Sequence, residues 1–381
     1  MLACQRDFFD IPDDVAYLNC AYMSPLMKPA IEAGIDGLKR KAQPWKLTAP
    51  EFFTGAEEFR AITAKFFGPK ATADDIAIVS SAGYGIQTAA RNLPVGKGQK
   101  ILVLDEQFPS NYYPWQQLAR ERGAELKIVP WPSDNDWTAA VLASLTSNVA
   151  IAALPNVHWT SGGRLDLVRI GEACRKIGAA LALDLTQSLG VLPFDAAAIQ
   201  PDFAVAATYK WLLGPYSLGV LYVAPKWQNG IPLEEGWIQR DNAQDFSSLV
   251  LYSDGYDKGA RRFDMGERAN FASIPAAVRA MRQILDWRIE EISATSAAHN
   301  QYLAEAAAEL DFSAPNEPLR APHYLCLRKA EPITPELTFT LAREKVYVSV
   351  RGTSMRVTPH VYNTREDCDR LIACLKRMAT K

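Results

Sequence analysis

Short apolar runs alternate with helical stretches from about residue 75 to 225, and no other feature constrains the fold as strongly. Several of these runs are apolar at every position, as expected of strands covered on both faces. The stretches between them, such as 110–122 and 164–178, have helical periodicity. The pattern predicts an α/β fold with a central, mostly parallel sheet flanked by helices, and active groups beyond the carboxyl ends of the strands. The predicted strands are IAIV (76–79), KILVL (100–104), LKIVP (126–130), VAIAAL (149–154), ALALD (180–184), FAVAA (203–207) and GVLYV (219–223).

The pattern changes after about residue 275, which predicts a second, smaller α+β domain. Its predicted elements are a long helix over about 274–309, β-like segments at 323–329, 346–351 and 354–362, and a final helix from 364. The N-terminal segment 1–45 is expected to pack beside them. We therefore predict a large domain over 46–265 and a small domain formed by 1–45 and 266–381, a division that suits a chain of 381 residues.

The charge balance excludes several classes of partner. Lys and Arg number 41 against 43 for Asp and Glu, and the net charge of −2 provides no basic surface for nucleic acid or an anionic membrane. The N-terminal segment reaches acidic residues before any apolar run of signal-peptide length, and no run of about 18 apolar residues could span a membrane. We therefore expect a cytoplasmic protein that acts on a small molecule. The 4 histidines have no metal-ligand spacing and the 6 cysteines form no CxxC pair, so we expect no metal and mostly structural, reduced thiols.

Two polar residues follow apolar strands in positions suited to catalysis. Lys210 comes just after FAVAA, between aromatic residues, where partial burial would lower its amine pKa and favour Schiff-base formation. Asp184 ends ALALD, where its carboxylate could face a pyridinium nitrogen. Each residue alone is more often structural, as a lysine that snorkels from a strand end or an aspartate that caps a turn. The pair together favours the catalytic interpretation.

Four segments, in this order, resemble the class V aminotransferase branch of enzymes that use pyridoxal 5′-phosphate (PLP). This branch includes cysteine desulfurases, kynureninases and isopenicillin N epimerase-like proteins. The resemblance implies the fold-type I PLP-dependent transferase fold, a homodimer with both active sites at the interface, and PLP held on Lys210 as an aldimine. It also implies chemistry at the α-carbon of an amino acid or related amine. The segments are YLNCAYMSP (17–25), ALALDLTQ (180–187), TYKWLLGP (208–215) and SMRVTPHVYNTREDCDRL (354–371).

The resemblance also assigns residues to the cofactor. In SSAGYGIQTAARNL (80–93) a strand ends and a helix begins, so the amides near Gly83 and Tyr84 are expected to bind the phosphate. Tyr209 could donate its hydroxyl to the same phosphate, and Phe108 is similar to the aromatic residue that stacks on the pyridine ring in kynureninases. Gln187, three residues after Asp184, is expected to contact the cofactor as well.

Arg356 is expected to hold the α-carboxylate of the substrate, because a guanidinium grips a carboxylate with two parallel hydrogen bonds. A structural salt bridge is the alternative. Arg351, five residues earlier, could assist or could hold a second acidic group.

Two segments depart from the family pattern. In RFDMGERANFASIP (262–275), which resembles the loop that reaches the partner subunit's phosphate, Arg268 stands near the place of the usual threonine, with Asn270 beside it. In PNVHWTSGG (155–163), His158 and Trp159 replace the family's usual residues and are candidates for contact with the substrate. Substrate identity is therefore most open around this second loop.

The type of reaction stays open among PLP chemistries. A lyase or desulfurase-like β-elimination ranks first, an aminotransferase second and an epimerase third, because all three depend on the same electron sink. Outside PLP chemistry, Gly83 and Gly85 with Asp105 imitate a degenerate dinucleotide fingerprint, but Thr88 stands in place of the third glycine. A PLP-fold protein that binds ligand without turnover is a further alternative.

A persulfide-forming desulfurase is not expected. That chemistry needs an exposed thiolate on a mobile loop shortly before the carboxylate-binding arginine, and the stretch 351–356 contains no cysteine. Cys326 lies in a β-like run, and at least one of Cys368 and Cys374 is expected to be buried in the final helix. Any sulfur chemistry should then proceed by direct β-elimination assisted by Lys210.

Overall fold

The structure is a computed structural model that describes the backbone of residues 1–379 and the side chains of residues 1–377. The strands are β1 (Ala16–Tyr17), β2 (Ile76–Val79), β3 (Lys100–Leu104), β4 (Glu125–Val129), β5 (Val149–Pro155), β6 (Ala180–Asp184), β7 (Phe203–Ala207), β8 (Gly219–Val223), β9 (Leu325–Arg328), β10 (Val346–Tyr347), β11 (Ser349–Arg351) and β12 (Ser354–Val357). The helices are α1 (Lys28–Lys41), α2 (Glu51–Ala64), α3 (Ala82–Asn92), α4 (Tyr113–Arg122), α5 (Trp137–Ser144), α6 (Leu167–Ile177), α7 (Ala196–Ile199), α8 (Ser273–Trp287), α9 (Ile289–Ala308), α10 (Pro335–Arg343) and α11 (Arg365–Ala379).

The central sheet has seven strands in the order β2-β8-β7-β6-β5-β3-β4. Strand β8 runs antiparallel to both of its neighbours, and the other strand pairs are parallel. All seven predicted strands are present, with β4 beginning and ending one residue earlier than predicted and β5 ending one residue later. The predicted α/β class with a mostly parallel sheet is therefore confirmed.

Alternate residues of the central strands pack on opposite faces of the sheet. Ile76 and Ile78 belong to one hydrophobic cluster, whereas Ala77 and Val79 belong to the other. Helix α3 comes close to the sheet at Gly85, where an added Cβ would lie 2.5 Å from a side-chain carbon of Val205. Both faces are thus covered, as the apolar runs predicted.

A three-stranded antiparallel sheet, in the order β11-β12-β9, forms the centre of the C-terminal part. Its apolar residues pack in one cluster with residues of α9, α10 and α11. Strand β1 pairs with β10, so the N-terminal segment lies against this part of the chain. The boundaries at residues 45 and 265 stay a prediction.

Two predicted elements beyond residue 273 are wrong in extent. The long helix over 274–309 is two helices, α8 and α9, separated by Arg288 with a φ of 65°. A positive φ is incompatible with a right-handed helix, and this break could not be predicted because such an angle is usually signalled by glycine, whereas the residue here is arginine. The segment 354–362 is a strand only to Val357. Within residues 1–379, no helix has the length and apolar character needed to cross a membrane.

Candidate active site

A cavity of about 270 Å³ lies beyond the carboxyl ends of the central strands. Parallel strands bring their carboxyl ends to one edge, so residues far apart in sequence meet there. Of the predicted site residues, the cavity is lined by Gly83, Phe108, His158, Trp159, Asp184, Gln187, Tyr209 and Lys210. The same cavity contains residues that the sequence did not single out, among them Ser81, Ser110, Asn111, Thr186 and Tyr216.

Lys210 lies three residues after β7 and is only 7% exposed. Its Nζ lies 5.6 Å from the ring centroid of Phe108 and 5.6 Å from that of Tyr209. Burial is the main cause that lowers the pKa of Lys210 to about 8, and the nearby Asp184 opposes this shift. A lowered pKa raises the fraction of neutral amine near neutral pH, which is the nucleophilic form.

Asp184 is the last residue of β6 and is buried. Its Oδ1 accepts a hydrogen bond of 2.9 Å from the backbone N–H of Thr186. Burial raises the pKa of this carboxyl, whereas the Thr186 contacts and the charge of Lys210 favour its ionised form. A buried carboxylate in this position is suited to stabilise a cation in the cavity.

The N-terminus of α3 opens on the cavity through Ser81, Ala82 and Gly83. Ser81 caps the helix, because its Oγ accepts a hydrogen bond of 3.1 Å from the N–H of Tyr84. The Tyr84 side chain does not line the cavity, and its buried hydroxyl has a pKa raised by burial. The first backbone N–H groups of the helix are therefore placed to bind an anion.

Aromatic side chains enclose the cavity around Lys210. Phe108 is 37% exposed and meets the ring of Trp159 edge to face at 5.3 Å. The ring of Tyr209 lies 4.6 Å from that of Tyr216. These rings could cover the faces of a flat ligand and exclude water from it.

The N-terminal loop 17–25 docks directly behind the lysine segment. Ser24 donates its backbone N–H to the carbonyl of Tyr209 at 3.0 Å, and Cys20 Sγ lies 3.9 Å from the carbonyl oxygen of Lys210. The Gln187 amide donates to the carbonyl of Ala21 at 3.2 Å. These contacts fix the backbone that carries Lys210.

Gln187 is at the cavity wall, but both ends of its side chain are bonded to protein. Besides the contact with Ala21, its Oε1 accepts a hydrogen bond of 2.9 Å from Trp211 Nε1. Its direct contact with a cofactor therefore stays a prediction that its observed partners do not favour.

Arg356 lies on β12 and is 3% exposed. Its Nη1 donates to the carbonyl of Trp159 at 3.3 Å and to the hydroxyl of Tyr324 at 3.5 Å, and its guanidinium lies 5.4 Å from the Trp159 ring centroid. Its Nε is buried without a partner. The positive charge of Arg356 is also one cause of the lowered pKa of Lys210, which places the two groups within electrostatic reach.

His158 lies at the cavity, but its ring nitrogens are used by the protein. Nε2 donates to the carbonyl of Asp105 at 3.0 Å, and Nδ1 lies 3.1 Å from the Ser161 hydroxyl. The ring stacks on Trp137 at 4.5 Å, and burial lowers the pKa of His158 to about 4. His158 is fully buried and both ring nitrogens have protein partners, so its contact with the substrate stays a prediction that these partners do not favour.

Arg268 and Asn270 do not reach this cavity. Arg268 is 0% exposed, and its Nη1 lies 2.9 Å from Asp264 and donates to the carbonyl of Ile238 at 2.8 Å. This ion pair holds the guanidinium inside its own chain, so the role of Arg268 at a partner's phosphate stays a prediction that its observed partners do not favour. Asn270 Oδ1 accepts from the N–H groups of Ala272 and Ser273 near the start of α8, and its role at a partner's site stays a prediction.

Tyr324 was missed by sequence reasoning. Its hydroxyl donates to the carbonyl of Trp159 and accepts from Arg356, although the three residues are widely separated in sequence. A tyrosine within a predicted β-like run carries no local signal of such a role. Only the packing of β9 beside β12 brings it to the arginine.

The site fits PLP on grounds of its own geometry. The buried lysine of lowered pKa matches the aldehyde of PLP, and the buried carboxylate matches its pyridinium nitrogen. The aromatic rings match the flat ring of the cofactor, and the helix N-terminus matches its phosphate. Gly85 formed part of the apparent dinucleotide fingerprint, but in the structure its lack of a side chain allows α3 to pack closely on β7.

Comparison with known proteins agrees with this geometry. The family model described as "Aminotransferase class-V" matches residues 46–371. An uncharacterised aminotransferase, YcbU of Bacillus subtilis, is 26% identical over 95% of this chain and 94% of its own length. A kynureninase of Bacillus cereus is 30% identical over 58% of this chain, and the match covers 52% of that enzyme.

Solved structures share the fold at low sequence identity. A cysteine desulfurase of Thermococcus onnurineus superposes with a TM-score of 0.86 at 19% identity and covers 100% of this chain and 99% of its own. The cystine C–S lyase C-DES, in complex with its product cysteine persulfide, gives a TM-score of 0.84 at 20% identity over 95% of this chain and 97% of its own.

Proposed function

Because the chain belongs to the class-V aminotransferase family of PLP-dependent enzymes, we propose that it is a lyase that eliminates a β-substituent from an amino acid. In this proposal Lys210 moves the proton and no protein thiol takes part. The observation that carries the proposal is a cavity in which a buried lysine faces a buried carboxylate while no described cysteine lines the wall.

The cofactor would be held by groups already described. Lys210 Nζ would carry it covalently, Asp184 would pair with the ring nitrogen, and the N-terminus of α3 with Ser81 and Gly83 would bind the phosphate. Phe108 would cover one face of the ring. When bound, PLP withdraws electrons from the substrate α-carbon and so acidifies its proton.

The residues of the chain supply substrate binding, proton transfer and exclusion of water. Arg356 binds and orients the α-carboxylate, because its guanidinium is buried and has no carboxylate partner among residues 1–377. Lys210, with a pKa of about 8, can accept the α-proton and return a proton when the leaving group departs. The aromatic wall of Phe108, Trp159 and Tyr209 excludes water from the reacting atoms.

The thiols are placed for packing. Cys20, Cys174, Cys326, Cys368 and Cys374 are buried, and Cys4 is exposed but not at the cavity. Cys20 comes nearest to Lys210, yet it contacts the backbone carbonyl and burial raises the pKa of its thiol. A buried thiol of raised pKa is a poor nucleophile, so sulfur would leave the substrate directly.

An aminotransferase is the second candidate, favoured by the match to YcbU along nearly the whole chain. The two activities differ in their products, since elimination releases a keto acid with ammonia and the leaving group, whereas transamination passes the amino group to an acceptor. An epimerase ranks third.

An amino-acid panel tests the proposal. We expect keto acid and ammonia in equal amounts from β-substituted amino acids, without an added keto-acid acceptor, and no product from Lys210→Ala. A variant with all six cysteines replaced should keep its activity if it folds correctly. Product formation that requires an acceptor would support the aminotransferase, and a cysteine-bound persulfide found by mass spectrometry would overturn the thiol-independent route.

A homodimer is part of the same proposal. Support comes from large apolar side chains left exposed in one chain, including Trp45 at 76% and Tyr252 at 98%. Exposed apolar surface of this kind is typical of interfaces.

A further inference from the structure

The three-stranded sheet has two chemically different faces. Because side chains alternate along a strand and paired residues share a face, the registers sort them without ambiguity. The apolar face, which packs in the C-terminal core, carries Leu325, Leu327, Val350, Met355 and Val357. The opposite face carries Cys326, Arg328, Ser349, Arg351, Ser354 and Arg356. We call this second surface the arginine face.

Two rows of residues cross the arginine face. Ser354 on β12 is paired with Arg351 on one side and Arg328 on the other, and Arg356 lies in the next row of the same face. Successive residues on one face of a strand are about 7 Å apart. The face therefore holds one buried arginine at the candidate active site and two further arginines one row away, a spacing on the scale of a small dicarboxylic amino acid.

None of these three arginines forms an ion pair with a carboxylate in the part of the chain whose side chains are described. Arg356 is the buried one of the three, and it contrasts with the other buried arginines, each of which has an acidic partner: Arg60 and Arg268 pair with Asp264, Arg261 with Glu57, and Arg320 with Glu317. Three unpaired cations on one face repel one another, and burying an unpaired charge is costly. A bound anion would remove both penalties.

Arg328 and Arg351, the two arginines in the row next to Arg356, are positioned by contacts with uncharged groups, which do not neutralise their positive charge. Arg328 stacks over Trp131 at 4.6 Å and donates from Nε to the Ser354 hydroxyl at 3.2 Å. Arg351 is exposed and donates to the carbonyl of its neighbour Val350 at 2.7 Å.

We propose that the substrate carries a second anionic group on its side chain, bound by Arg351 and Arg328 over Ser354 while Arg356 holds the α-carboxylate. This inference rests on the proposed function, which assigns the α-carboxylate of the substrate to Arg356. It names the substrate class as acidic amino acids. The anion is a carboxylate or a phosphonate-like group, since a guanidinium binds both with paired hydrogen bonds.

Binding of unreactive acids to the holoenzyme tests this inference without turnover. Calorimetric titration should give a dissociation constant for glutarate about 10-fold or more below that for butyrate, because glutarate makes an added charged contact. The variant R351Q, with its substitution at an exposed position, should lose most of this difference, and R351Q combined with R328Q should lose all of it. The matched control R343Q removes an exposed arginine on α10 and should keep the wild-type preference.

Equal affinity for glutarate and butyrate in the wild-type enzyme would overturn the inference, as would a preference that persists in the double variant. Comparison of glutarate with 3-phosphonopropionate decides which anion fits better. The results that would refute this inference differ from those that would refute the proposed function. Turnover of neutral amino acids with no preference for acids would refute this inference alone, whereas a glutarate preference that depends on Arg351, in an enzyme with no lyase activity, would refute only the proposed function.

Discussion

At the scale of single residues, Lys210 combines burial with a nearby carboxylate, and the balance between them sets its reactivity. Burial lowers the pKa of the amine to about 8 from its ordinary value of 10.5. The neutral amine is the form that attacks an aldehyde, and its fraction rises with pH up to the pKa and then levels off.

We therefore predict that the rate of PLP incorporation into the apoenzyme rises between pH 7 and a plateau near pH 9. Stopped-flow absorbance should measure it, and borohydride reduction followed by peptide mapping should place the pyridoxyl group on Lys210. A rate that keeps rising towards pH 10.5, as for an ordinary lysine, would contradict the lowered pKa.

Arg356 is predicted to act through substrate affinity. Arg356→Ala should weaken binding of carboxylate substrates by about 2–5 kcal/mol, the usual effect of removing one partner of a buried charged pair. Arg356→Lys should recover part of this, since an ammonium keeps the charge but loses the paired hydrogen bonds. Steady-state kinetics and inhibitor titration measure both variants, and unchanged constants in Arg356→Ala would remove the residue from its role.

The residues that sequence placed at the site are those whose position follows from a strand end. Asp184 ends one apolar strand and Lys210 follows another by three residues, so the topology of the sheet brings them together. Tyr324 and the bonded nitrogens of His158 were not predictable, because their partners depend on packing between distant segments. The ion pair of Arg268 with Asp264 was also not predictable, because a sequence motif does not reveal a buried partner.

At the scale of elements, Asp264 ties three parts of the fold together. Its Oδ1 accepts a hydrogen bond of 2.8 Å from the N–H of Ile78 in β2, and its Oδ2 pairs with Arg60 of α2 and with Arg268. Asp264, Arg60 and Arg268 are each 0% exposed. Removing the carboxylate would therefore leave two buried cations facing each other.

We predict that Asp264→Asn lowers the free energy of unfolding by about 3–5 kcal/mol, the cost of breaking a buried ion pair. Urea denaturation followed by circular dichroism measures this change. The control Asp36→Asn removes an exposed pair with Lys39, 3.2 Å long, and should change stability by less than about 1 kcal/mol. Equal stability of the two variants would show that Asp264 does not hold these elements together.

The prediction of elements was accurate where hydrophobic periodicity marks a strand, and it failed at one helix break and one strand end. The seven central strands are apolar runs bounded by turns, and their ends were placed to within a residue. The break at Arg288 has no compositional signal, because the sequence on either side keeps its periodicity. The end of β12 at Val357 does have one, since Pro359 follows two residues later and cannot donate a ladder hydrogen bond, and the prediction overlooked it.

At the scale of the whole molecule, an aromatic cluster on the surface suggests where a second chain docks. Phe246 meets Trp237 at 5.6 Å and Phe52 at 5.5 Å, and Phe52 meets Phe271 at 5.5 Å. Phe271 directly follows Asn270, the residue predicted to act at the partner's site. Burying such a cluster in a dimer would stabilise it by roughly 25 cal/mol for each Å² of apolar surface removed from water.

We predict that the chain is a homodimer and that Phe246→Glu shifts it to monomers, since a charge buried in an apolar interface is unfavourable. Sedimentation equilibrium should give twice the mass of one chain for the wild type. Val168→Glu is the control, because Val168 on α6 has the same exposure of 41% as Phe246 and lies outside the cluster. A wild-type monomer that binds PLP and turns over substrate would contradict the dimer, and a Phe246→Glu variant that remains dimeric would move the interface away from this cluster.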